Sequence, residues 1–92
     1  MTRPTNDELL FNEALCARTR ILRDEKGYTA AQMAIALGVP AERYRKYEMR
    51  SPIPHYLIPR LATICDCTIE YILTGRTTKQ IDASVKAPRM RA

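Results

Sequence analysis

Apolar residues return every three or four positions through the first third of the chain, which predicts a helix over about residues 6–26. Leu10, Ala14, Ala17 and Ile21 form its stripe, with Phe11, Leu15 and Leu22 widening it. Thr5 and Glu8 have capping-box spacing, Asp7 and Glu8 sit at the positive end of the helix dipole, and Lys26-Gly27 favours a stop. Arg18 and Arg20 read as a solvated polar face. A second helix follows over 30–37. Thr29 and Gln32 have capping-box spacing, Tyr28 and Met33 have staple spacing, and Met33, Ala34 and Leu37 face inward up to Gly38. Pro40 suits the first position of a third helix, 40–48, with Tyr44 and Tyr47 inward. Glu42, Arg45, Lys46 and Met49 share its outward stripe, flanked by Arg43 and Arg50.

Three prolines (Pro52, Pro54, Pro59) exclude a continuous helix across 50–59, and Pro59 belongs in the first turn of a fourth helix over 58–65. Its inward set is Leu61, Ala62, Ile64 and Cys65. Asp66 marks a turn, Thr68 caps a fifth helix over 69–74, and Ile69, Ile72 and Leu73 bury it until Gly75. No stretch reads as strand. Beyond Gly75 the pattern fades, and Ile81 and Val85 are the only apolar pair in what reads as a mobile basic arm, 76–92. The expectation is an all-α protein: a compact five-helix bundle in 1–75 and a flexible basic tail.

The net charge of +5 belongs mostly to that tail. Residues 1–75 hold ten Lys/Arg against nine Asp/Glu, whereas 76–92 hold five against Asp82 alone. Overall basicity therefore says little about the body, and a local cluster must carry any nucleic-acid argument. The three cysteines, Cys16, Cys65 and Cys67, lack zinc spacing and read as buried free thiols; His55 is the only histidine. No phosphate loop, metal motif, nucleophile elbow or Cys–His couple occurs, and the acidic pairs lie at helix ends. A non-enzymatic protein without metal or cofactor is expected. No apolar run approaches bilayer length and no signal-peptide pattern is present, so the expected location is cytoplasmic, without a membrane partner. What remains is the layout of residues 29–48: a helix, a tight turn, and a second helix with cations outward. It is the layout that puts its second helix into a DNA groove.

At Arg23-x-x-x-Gly27-Tyr-Thr29, Met33-Ala34, Leu37-Gly38-Val39 and Tyr47-Glu48, the chain resembles the Cro and phage-repressor type helix-turn-helix family. Thr68-Ile-Glu-Tyr-Ile-Leu-Thr-Gly75 is similar to that family's last helix, so the resemblance spans about residues 15 to 75. It implies a lambda-repressor-like five-helix fold, binding of double-stranded operator DNA and a homodimer. It also implies an Arg23–Glu48 pair that locks the first helix onto the end of the third. Base-reading positions fall on Ala41, Glu42, Arg45 and Lys46; Arg45 suits guanine O6 and N7, and Glu42 suits cytosine N4. Thr29, Gln32, Arg43 and Arg50 are the phosphate-contacting candidates. Two positions depart from the family: Ala30 stands where a glutamine is usual, and Pro40 replaces the usual hydroxyl cap. The alternative expectation is a protein-interaction module, such as an antitoxin or phage-encoded modulator, for which Ala30, the near-neutral body and outward Met49 speak.

Overall fold

The computed structural model describes residues 6–76. Five helices follow one another: α1 (Asn6–Lys26), α2 (Ala30–Leu37), α3 (Ala41–Tyr47), α4 (Ile58–Cys65) and α5 (Ile69–Thr74), with a 3-10 turn at His55–Leu57 leading into α4. No strand occurs among the described residues. Thr5, expected to cap α1, and the basic stretch 77–92 lie outside them.

The boundaries have local causes. Gly27 at φ +82° and Gly38 at φ +78° take the left-handed conformation that ends α1 and α2, where a side chain would be strained. At Gly38 the exposed end of α2 is closed by backbone bonds, from Gly38 N–H to Ala34 O (2.8 Å) and from Val39 N–H to Ala34 O (3.0 Å). Asp66 performs the same stop for α4 at φ +55°, and Asp is among the few residue types that tolerate it. The expectation for Pro40 shifts by one residue. Pro40 is the N-cap of α3 rather than its first helical residue, extended at φ −62°, ψ 144° and offering no side-chain cap. Its carbonyl accepts the first bond of the helix, from Tyr44 N–H at 3.0 Å.

Met33, Leu37, Tyr44, Leu61 and Ile72 meet in the middle, each at most 1 % exposed, with Leu15, Leu22, Ile53, Leu57 and Ile58 around them. In packing terms α2 lies against α3, α4 is a shared floor for α1, α2 and α5, and α5 closes against α1. Thr19, fully buried, donates its hydroxyl to Leu15 O (2.8 Å), and no buried side-chain polar atom among the described residues lacks a partner.

Helix α1 presents a different face from the one its stripe predicts. Leu15, Cys16, Thr19 and Leu22 are buried, whereas Leu10, Phe11, Ala14, Ala17 and Ile21 are exposed. At 100° per residue the buried set and the Leu10/Ala14/Ala17/Ile21 stripe lie on opposite sides of the helix. None of the first nine residues of α1 is buried, because the remaining helices cover only its second half. Ile69 likewise stays exposed on α5, leaving Ile72 to anchor that helix.

Arg18 also differs from its expected place in a solvated face. It lies on the buried side between Leu15 and Leu22, half-buried, and donates from Nε to Ile72 O (2.8 Å) and from Nη2 to Leu73 O (3.0 Å). A guanidinium there satisfies two carbonyls at the C-terminal end of α5, where the helix dipole favours a cation. Gly75, at φ +77°, completes that end; a β-carbon there would approach Arg18 Nη1 to 3.0 Å. Arg20 is exposed, at 3.9 Å from Asp24.

Leu61 touches the core from the middle of the shared floor. Leu61→Ala should lower unfolding free energy by about 2–5 kcal/mol, read as a lower urea midpoint with an unchanged slope.

Candidate nucleic-acid interface

The α2–turn–α3 pair is held at both ends by side chains. At the head of α2, Thr29 Oγ1 accepts from Gln32 N–H (3.1 Å) while Gln32 Oε1 accepts from Thr29 N–H (2.8 Å), a reciprocal box. Both side chains are exposed, and the box occupies one oxygen of each. The Thr29 hydroxyl proton and the Gln32 amide group remain as donors toward an incoming anion.

At the tail of α3, Arg23 reaches across from α1. Its Nε donates to Glu48 Oε2 at 2.6 Å and Nη2 donates to Glu48 Oε1 at 3.1 Å, the two-bond fork that the resemblance implies. Nη1 meanwhile donates to Tyr28 O at 2.8 Å, just before α2, and lies 3.3 Å from Asp24. The two side chains of the fork are only 15 % and 10 % exposed. Tyr44 adds its hydroxyl to the same carboxylate oxygen, so one carboxylate collects α1, the α2 entry and the middle of α3. Glu48 holds Arg23 protonated above even its ordinary high value. Burial, then the hydrogen bond to Glu48, pushes Tyr44 far above the usual phenol range. Tyr47 packs edge-to-face on Tyr44 with ring centroids 6.0 Å apart. Burial raises Tyr47 as well, with Tyr56 adding to the effect and the Arg43 cation opposing it.

With Tyr44 and Tyr47 inward, the outer side of α3 is free of packing. Glu42, Arg43, Arg45 and Lys46 are all exposed, Glu42 and Lys46 at its centre and Arg45 and Arg43 on opposite edges. Glu42 and Lys46 do not form the i,i+4 ion pair that their spacing allows; among the described residues Glu42 is in no ion pair. Ala41 differs from the other base-reading candidates. It is half-buried and packs on the edge of the core, so its methyl group only partly faces outward. Arg50 is exposed just beyond α3, its backbone N–H bonded to Lys46 O. Ala30 is half-buried, and Met49 is exposed on the same stripe as Arg45.

Arg60 is a positioning residue that the sequence pattern does not single out. From α4 its Nη1 donates to Leu37 O (3.3 Å), tying the last turn of α2 to the floor of the domain.

Elsewhere, an open groove of about 500 Å³ lies over the α4–α5 turn, lined by Leu22, Cys65, Asp66 and Cys67 among others. The three thiols are free, and no three His, Cys, Asp or Glu side chains among the described residues converge on a metal position. Burial pushes all three thiols up, Cys65 to about 11. No described helix is long and apolar enough to cross a membrane. No family model, curated protein or solved structure matches the chain.

Two expectations follow from these contacts. Glu48→Gln should cost about 3 kcal/mol, because it strands a largely buried guanidinium. The pair Arg23→Met/Glu48→Leu should recover more than half of that loss in urea unfolding. The second concerns alkaline pH. Cys16, Cys65, Cys67, Tyr44 and Tyr47 are acids whose folded pKa lies above the unfolded one. Each stabilises the fold below its unfolded value and loses that contribution as pH rises through the folded value. The urea midpoint should therefore hold to about pH 8 and fall from about pH 8.5 upward; equal midpoints at pH 8 and 10.5 would contradict it.

Proposed function

We propose that the chain is a sequence-specific DNA-binding transcriptional regulator that lays α3 in the major groove and works as a homodimer. The observation that carries this reading is the outer side of α3. Four charged side chains stand in solvent on a helix whose inner side is pinned by Tyr44, Tyr47 and the Arg23–Glu48 fork. A short exposed helix on a rigid mount is what base reading requires, since each bidentate contact demands placement to a fraction of an ångström.

In this reading Arg45 donates its fork to guanine O6 and N7, and Lys46 supplies a second donor at the centre of the groove. Glu42, uncommitted to an ion pair, accepts from cytosine N4. Ala41 offers part of its methyl group to a base edge. Thr29, Gln32, Arg43 and Arg50 hold phosphates on either side and set the register. The resemblance to the Cro and phage-repressor family supports the same assignment, with a lambda-repressor-like arrangement of the five helices, a cytoplasmic setting and no catalytic step.

The test is selection of bound duplexes from a random pool by the full chain, followed by titration of variants. Arg45→Ala should lose about 1–3 kcal/mol on the selected duplex, roughly ten- to hundredfold, and relax preference at one base position. Arg43→Ala and Arg50→Ala should weaken all duplexes alike and reduce the salt slope by about one phosphate each. A pool without enrichment, with parent and Arg45→Ala binding every duplex equally, would overturn the proposal.

A second reading has its own observation. Ile35 is 80 % exposed on α2 and Met49 is 77 % exposed beyond α3, and Ile35 lines a shallow groove of about 310 Å³ with Tyr28 and Ala36. Large apolar side chains flanking the charged face suit a protein partner, as in an antitoxin or a phage-encoded modulator. A stoichiometric protein partner together with an unenriched duplex pool would favour it.

A further inference from the structure

We propose that the outer face of α1 is a self-complementary surface on which a second copy of this chain docks, the two α1 helices running antiparallel. The inference names a face for the two-fold assembly of the reading above, but it stands on α1 alone and is tested without DNA.

The first observation is the exposure itself. Leu10 is 62 % exposed, Leu9, Phe11 and Ile21 are close to half exposed, and Ala14 and Ala17 are also in solvent. Leu10, Ala14, Ala17 and Ile21 form one side of a helix whose opposite side packs the core, with Leu9 and Phe11 turned about 100° away on either flank, and the nine residues Asn6–Ala14 have no buried member. A length of helix with no buried residue is marginal in water, and large apolar side chains along its outer side are costly to leave wet.

The second observation is the order of side chains along the stripe, which identifies the occupant. Leu10, Ala14, Ala17 and Ile21 are spaced four, three and four residues apart, so the pattern reads large, small, small, large in both directions. Turned end for end, a second α1 sets its Ile21 against Leu10 and its Ala17 against Ala14. The two alanines at the centre let the backbones approach, and the large residues close the gap on either side over about three turns. This symmetry is what a two-fold interface between identical chains requires, because each residue must face its own counterpart set.

The third observation is charge. Glu13 and Arg20 are both exposed and lie on the same edge of the stripe. In an antiparallel pair with the stripes in register, that edge faces the same edge of the other copy, and Glu13 of each chain falls beside Arg20 of the other. Among the described residues Arg20 has only the long 3.9 Å approach to exposed Asp24, an arrangement weak enough to be exchanged. The helix dipoles follow the same sense, since an antiparallel pair sets the N-terminal half of one α1 beside the C-terminal half of the other. A single helix pair lies at the small end of interface sizes, among the weak and transient associations.

The experiment is sedimentation equilibrium of the full chain, without nucleic acid, from about one to several hundred micromolar. The parent should pass from monomer to dimer. Ala17→Glu, a change at an exposed site that leaves circular dichroism unaltered, should remain monomeric throughout. Glu13→Arg alone and Arg20→Glu alone should each weaken self-association at least tenfold, since each places like charges together at both ends of the interface. Mixed in equal amounts, they should form a heterodimer within about threefold of the parent's affinity, because the mixture restores both opposite-charge pairs. A parent that stays monomeric would overturn the proposal, and so would a dimer indifferent to Ala17→Glu, or a mixture no tighter than its components. A monomeric parent whose stripe is covered by its own residues 77–92 is included in the first of these. Loss of dimerisation with duplex selection intact, or the reverse, separates this proposal from the functional reading.

Discussion

The Glu48 carboxylate is the point on which the arrangement of the charged helix depends. It accepts two bonds from Arg23 and one from Tyr44, and Arg23 donates from its third nitrogen to the Tyr28 carbonyl. Hydrophobic contacts alone would leave α3 free to rock, since seven residues with two inward tyrosines make a narrow footing. A planar fork has one good geometry, and it converts that footing into a fixed orientation relative to α1. The net energy is modest, because an ion pair taken from water recovers little more than its desolvation cost. Its worth lies in direction rather than in strength.

Three arginines divide this work by where their carbonyl or carboxylate partners lie. Arg18 closes the end of α5, Arg60 holds the last turn of α2, and Arg23 joins the first helix to the third. All three act at helix ends, where unpaired carbonyls or a carboxylate wait for a donor. The remaining exposed cations on α3 include Arg45 and Lys46, which are left to solvent, and Arg43, which lies beside the Tyr47 hydroxyl. The domain thus separates structural from available positive charge, a division invisible to a count of lysines and arginines.

Much of the helix plan could be read from residue order, because capping, proline and glycine act locally. Thr29 with Gln32, Gly38, Asp66, Thr68 and Gly75 each end or begin an element where their chemistry dictates. The two faces of α1 could not be told apart in this way. Both sides of that helix carry apolar residues at helical spacing, and which side meets the core depends on how α4 and α5 arrive, which no local rule encodes. Leu15 and Leu22, seven apart, with Thr19 and Arg18 between, were the better pointers, since Thr and Arg can serve a buried face by bonding to carbonyls. Ala41 was placed outward by analogy, yet the tilt set by Tyr44 and Tyr47 turns it partly under. Glu42 and Lys46 illustrate the reverse: spacing favours an ion pair, and long solvated side chains do not hold one.

The uneven burial of α1 gives one geometrically continuous helix two local stabilities. From Leu15 onward, opening the backbone means breaking the core, so those amides should be protected nearly to the free energy of global unfolding. From Asn6 to Ala14 no buried side chain anchors the helix, and amide exchange there is set by local melting in the isolated chain. The boundary falls within a single turn, between Ala14 and Leu15. Anything that lies against the outer stripe couples the loose half to the firm one and turns a frayed end into part of the cooperative unit.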